Sequence, residues 1–208
     1  MMQLKELPYF HINGYFGGSQ DWMRDPWMRI GGCGALTMCD MMIYMAAFKD
    51  YPECYPYDIE DLTKHDYRRF GMLMKPYLQP RETGIKDLQT FIDGANHYLD
   101  YSQLQGFEMT PLDGHRPVED AKAAIVESID RGMPVPMLML KHKDKKFDFF
   151  EWHWFPIVGC KFEDEAQGND EFQIKVATYG REHWLPLEAF WDTGYDERGG
   201  LVLVSYTK

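Results

Sequence analysis

The stretch Gly31-Gly32-Cys33-Gly34-Ala35-Leu36-Thr37 places one thiol between glycines where an apolar helical segment begins. A helix start leaves unpaired N–H groups and roughly half a positive charge, which favours thiolate over thiol. Glycines on either side would let a substrate backbone approach the sulfur closely. An inert buried thiol beside a tight turn is the competing reading, since free cysteine is among the most buried residue types. Chemistry needs a basic partner, and one is offered by Glu151-Trp152-His153-Trp154-Phe155-Pro156-Ile157-Val158-Gly159-Cys160, a histidine opening an apolar strand. A thiol with a pKa of about 8.5 is only slightly ionised at neutral pH, so a nucleophilic Cys33 requires a base such as His153 to take its proton.

The remaining cysteines and histidines are weaker candidates. Cys39 lies within the helix body and Cys160 on an apolar strand, where burial suppresses ionisation. Cys54 falls in a proline-rich loop and is expected to be exposed. His11, His65, His97, His115 and His142 lie in contexts that read as helix surface or loop. His183 is the rival base.

Cys33-Gly34, then His153-Trp154 with Gly159 closing the strand, then Trp184-Leu185-Pro186-Leu187-Glu188-Ala189-Phe190 occur in an order and rough spacing that resembles the papain-like cysteine peptidases. It resembles especially the bacterial branch related to the bacteriocin-processing, double-glycine peptidases. The resemblance covers the first 50 residues and the last 60, and the middle of the chain matches no pattern of that family. It implies an α+β, papain-like fold in which the Cys-bearing helix of one half meets the His-bearing strand of the other. It implies a cysteine peptidase, or a related thiol acyl hydrolase or transferase, acting on an amide-type bond of a peptide or small acyl substrate through a Cys33–His153 dyad.

The third catalytic position of that family is Asn or Asp, whereas this chain has Thr178 there. A threonine hydroxyl can accept a hydrogen bond from imidazole but pairs less well with imidazolium than a carboxylate does. A catalytically inactive papain-like binding domain is therefore the alternative, and Asp192 is a substitute third residue if the fold brings it near. The family's oxyanion glutamine maps to Gln20, which stands further upstream of Cys33 than the family spacing. The intervening Asp21–Ile30 would then form an inserted turn; an ordinary surface glutamine is the other possibility. Trp22, Trp27, Trp152 and Trp154 flank both motifs and read either as a substrate cleft or as core and rim aromatics.

The elements that must position these residues follow from periodicity. Residues 33–48 are apolar on nearly every face, with Thr37 and Asp40 the main polar interruptions, as in a buried helix. Further helices are expected near 66–75 and 86–98, and a fourth opens at Pro117 and ends before Gly132. Strands are expected over 134–140, 154–162, 171–177 and 201–206, joined by Gly- and Asp-rich turns. Lys141–Lys146 reads as a solvated loop. Helices followed by antiparallel strands indicate one α+β domain over 1–208, helical to about 132 and sheet from about 133.

Composition narrows the function classes. The 208 residues are 45% hydrophobic and 26% charged, which marks a globular chain. Fourteen methionines, many clustered, suit an adaptable core. The net charge of −11 argues against a nucleic-acid partner. The sequence shows no apolar run long enough to span a membrane, no signal-peptide pattern, and neither a Cys-x-x-Cys nor a His-Glu-x-x-His zinc motif. No cofactor or metal is expected, and a cytoplasmic location is the simplest.

Overall fold

Three of the α-helix starts are written into the chain as local caps. In the computed structural model, which describes residues 2–163 and 171–207, Asp25 accepts from the Met28 N–H at the start of α1 (Pro26–Gly31), with proline in its first turn. After α2 (Cys33–Phe48), Thr63 and Asp87 cap α3 (Lys64–Met74) and α4 (Leu88–Tyr101) in the same way. Glu119 and Asp120 occupy the first turn of α5 (Val118–Asp130). Helix α2 has no side-chain cap. It follows α1 after the single residue Gly32, and 14 of its 16 residues are buried.

The strands are β1 (Met2–Glu6), β2 (His11–Ile12), β3 (Tyr15–Phe16), β4 (Phe107–Asp113), β5 (Val135–Met139), β6 (His153–Glu163), β7 (Gln173–Thr178), β8 (Arg181–Pro186) and β9 (Gly200–Tyr206), with a short α6 (Leu187–Trp191) before the last. Strands β4-β9-β5-β6-β7-β8 form an antiparallel sheet, and β1 pairs with the far half of β6. Strands β2 and β3 form a separate hairpin.

Side chains alternate across the sheet. Leu138, Trp154 and Val158 join a core with α2, α3 and α4 on one face. Met137, Met139, Phe155 and Ile157 join a second core with α5 and α6 on the other. The mixed helix-and-sheet class agrees with the sequence reading, and its expected helices and strands are present with boundaries moved by a few residues. The turn expected between the strands near 162 and 171 lies mostly outside the described residues.

Other expectations are corrected. The division near residue 132 does not follow the architecture: β1 and β4 come from the N-terminal part yet join the same sheet. Both are edge strands without a continuous apolar run, and β4 carries Pro111, which an edge tolerates. The 21–30 insertion is a 3₁₀ turn (Gln20–Trp22) followed by α1. Cys54 is not exposed but fully buried, because its 3₁₀ turn packs on α2. His142 is likewise buried; its Nε2 bonds the Ala189 carbonyl and its Nδ1 accepts from the Asp144 N–H. Lys145 and Lys146 are exposed, as a solvated loop requires.

Trp154 ties the sheet to the helices. Its ring stacks on Phe91 of α4 at 4.3 Å and 15°, and its indole N–H donates to the Ile85 carbonyl at 2.8 Å. Removing the Phe91 ring leaves a cavity beside a fully buried tryptophan. Phe91→Ala is expected to lower the unfolding free energy by about 3–5 kcal/mol in urea denaturation; a loss below about 1 kcal/mol would show that the stack does not hold the layers together.

Candidate active site

Cys33 is the first residue of α2 and is 3% exposed. Burial pushes its thiol pKa up, outweighing the N–H groups of Trp154, Gly34 and Cys33 itself, which favour the thiolate. The thiol donates to the Trp152 carbonyl at 3.9 Å. Gly84, at φ +67°, lies against the sulfur, and a Cβ there would come within 3.3 Å of Sγ. A Cβ on Gly31 would lie 1.7 Å from the Arg81 carbonyl oxygen, so residues 81–84 are laid directly over the α1–α2 junction. The space beside the Cys33 glycines, expected to admit a substrate backbone, is taken by the chain's own residues 81–84.

His153 opens β6 and is 5% exposed. Its Nε2 is 2.7 Å from Thr178 Oγ1 at the end of β7, and its ring stacks on Tyr179 at 4.9 Å and 11°. Burial lowers its pKa to about 4. Trp152 and Tyr179 hold left-handed backbone angles, φ +54° and +50°. Such angles are strained for large side chains, and here they stand immediately before His153 and immediately after Thr178.

Gln20 is 6% exposed; its Nε2 donates to the Arg29 carbonyl at 2.9 Å, while its buried Oε1 has no hydrogen-bond partner among the described residues. The inserted helix α1 thus supplies the acceptor that orients this amide. All four residues singled out in the sequence, Gln20, Cys33, His153 and Thr178, line one void of about 20 Å³, enough for a single water. They are brought together, but the expected thiolate–imidazolium pair is not the resting state. Sulfur and ring each hydrogen-bond elsewhere, and burial favours the neutral form of both.

Asp40 also lines this void, and the sequence reading gave it no role. The available signal was an acidic residue in an otherwise apolar helix, two turns beyond Cys33 and on the same face. Asp192 is engaged elsewhere, 3.6 Å from Arg198, and His183 packs between Phe149 and Phe150. Trp154 belongs to the core, Trp27 is 56% exposed, and Trp22 packs edge-on against Tyr67. Among the described residues, no group of three or more His, Cys, Asp or Glu side chains is placed to hold a metal ion, and no helix is long and apolar enough to cross a membrane.

Neither a family model nor a curated protein matches the chain.

The cavity's electrostatics carry a definite sign. Burial raises Asp40 from 3.8 to about 7 and lowers His153 from 6.5 to about 4. The folded state therefore holds an extra proton on Asp40 across that window, so Asp40's contribution to stability falls as pH rises through it. It lacks a proton on His153 between about 4 and 6.5, so that contribution rises with pH there. The two slopes oppose each other, each close to 1.4 kcal/mol per pH unit at full effect. Relative to the parent, Asp40→Asn is expected to gain stability as pH rises from about 4.5 to 6.5, and His153→Gln to lose it. Parallel melting-temperature curves for parent and both variants would contradict these burial effects.

Proposed function

We propose that the chain is a papain-like thiol enzyme that hydrolyses or transfers at an amide-type bond of a peptide or small acyl ligand. The observation that carries this reading is the convergence of four sequence-distant residues on one cavity: a cysteine at a helix start, a histidine held by a hydroxyl, and a glutamine amide. A Cys-bearing helix packed against the His-bearing strand of an antiparallel sheet supports the papain-like arrangement. All four cysteines are free, which suits a reducing compartment such as the cytoplasm.

In the tautomer that donates Nε2–H to Thr178, His153 keeps a lone pair on Nδ1. The Cys33 proton passes to that nitrogen as sulfur attacks the carbonyl carbon, since the neutral resting forms leave no preformed ion pair. The tetrahedral oxyanion would take the Cys33 N–H and the Gln20 amide. The imidazolium returns its proton to the leaving amine, and water or another nucleophile then resolves the thioester. Gly84 and the Trp152 carbonyl lie against the sulfur, so both would move aside as a substrate carbonyl approaches it.

The buried thiol and the uncharged Thr178 favour a second reading, a binding domain that keeps the cleft without turnover. Alkylation of the full chain by iodoacetamide, followed site by site by mass spectrometry at pH 7.5, separates the two. For the enzyme, His153→Ala slows Cys33 labelling about tenfold or more. Thr178→Val slows it less, and Thr178→Asn labels at least as fast as the parent. Equal Cys33 labelling in the parent and all three variants would leave the binding domain.

A further inference from the structure

Asp40 is 5% exposed, and its carboxylate is met from three separate parts of the chain. The Tyr67 hydroxyl of α3 donates to Oδ1 at 2.8 Å. The Tyr9 hydroxyl and the Gly18 N–H each donate to Oδ2 at 3.3 Å. Two glycines make this approach possible: a Cβ on Gly18 would lie 2.0 Å from the Tyr67 ring, and one on Gly17 would lie 3.2 Å from Oδ2. Gly18 stands two residues before Gln20. Its carbonyl accepts the Gly180 N–H at 2.8 Å, in the turn that follows Thr178 and Tyr179. One carboxylate on the Cys33 helix is thereby linked, through Gly18, to both the amide and the hydroxyl that face the site.

We propose that Asp40 is a positioning residue for the Cys33–His153 site, a clasp that holds the Gly18 loop on α2 and so sets Gln20 and Thr178 in register with the thiol and the imidazole. The inference rests on the thiol-enzyme reading above. Asp40 is placed at no reacting atom and acts through the Gly18 N–H. The titratable groups packed on it are Tyr9 from the N-terminal segment, Tyr67 from α3 and Cys39 from its own helix. Burial raises all three, so they stay neutral while the carboxyl changes charge. Cys33 and His153, which line the same void, are also neutral in that range. When the carboxyl takes a proton, the Gly18 N–H loses a charged acceptor for a weaker neutral one, and the clasp slackens.

The test follows amide resonances of the ¹⁵N-labelled full chain from pH 5.5 to 8.5, with Cys33 alkylation by iodoacetamide measured over the same range. The backbone amides of Gly18 and Thr178 and the side-chain amide of Gln20 are expected to shift together at one midpoint, with an inflection in the alkylation rate at that midpoint. Asp40→Asn removes both. Tyr67→Phe, a milder change, keeps the transition but moves its midpoint upward, because it deletes a donor that favours the charged carboxyl. Titration of Gly18 alone, or no shared midpoint, would overturn the proposal and reduce Asp40 to local packing. If the three resonances titrate together while His153→Ala leaves alkylation unchanged, the thiol-enzyme reading falls and the coupling of Gln20 and Thr178 to Asp40 stands.

Discussion

The burial of α2 on every side is the constraint from which the rest of the site follows. A helix apolar all round can be stable only between other layers, and α2 lies between the sheet, α3 and the 3₁₀ turn that carries Cys54. Every ionisable group carried into that position loses its water. Burial pushes the pKa values of Cys33, Cys39 and Asp40 upward together. The field of the helix start is present at Cys33, and desolvation outweighs it.

The same burial decides the form of the proposed chemistry. Thr178 holds the His153 ring by a neutral hydroxyl, so no charge beside the ring offsets the loss of water, and the imidazole becomes a weak base. A site of this kind works by handing over a proton during attack rather than by storing a thiolate beforehand. The carboxyl that lines the cavity is Asp40, on the Cys33 helix, and burial raises its pKa to about 7. In the proposed enzyme Thr178 would orient the ring without supplying charge, and Asp40 would act only through the Gly18 loop.

Backbone geometry also fixes what lies against the sulfur and the imidazole. Left-handed angles at bulky residues cost on the order of 1–3 kcal/mol each and persist only where surrounding contacts dictate them. At Trp152 those contacts are visible: its N–H donates to the Leu140 carbonyl, its own carbonyl accepts the Cys33 thiol, and Lys86 and Lys141 lie over its ring at 4.9 and 5.4 Å. Tyr179 is held by its stack on His153. The cover over the sulfur is therefore a set of specific contacts, and opening it means breaking them as a group.

Much of the local framework was legible in the sequence. The apolar run from Cys33 to Phe48 specified a buried helix with a thiol at its start, helical spacing of apolar residues located α4, and Pro117 with its acidic first turn located α5. His153 at the head of an apolar strand was visible because strand residues read by type. These signals are short-range, carried by neighbours within a turn or two. The strands β1 and β4 were not legible, because they are ordered by remote pairing, Met2 with Glu163 and Phe107 with Tyr206, rather than by their own composition. Cys54 and His142 were misread for the same reason: a loop's burial depends on what folds over it. Asp40 was visible as a residue but not as a clasp, since Tyr9, Gly18 and Tyr67 reach it only in the folded chain. The sequence by itself determined which side chains could do chemistry. Tertiary packing decided which of them meet, how the thiol is covered and which carry charge, because desolvation and close approach depend on the whole fold.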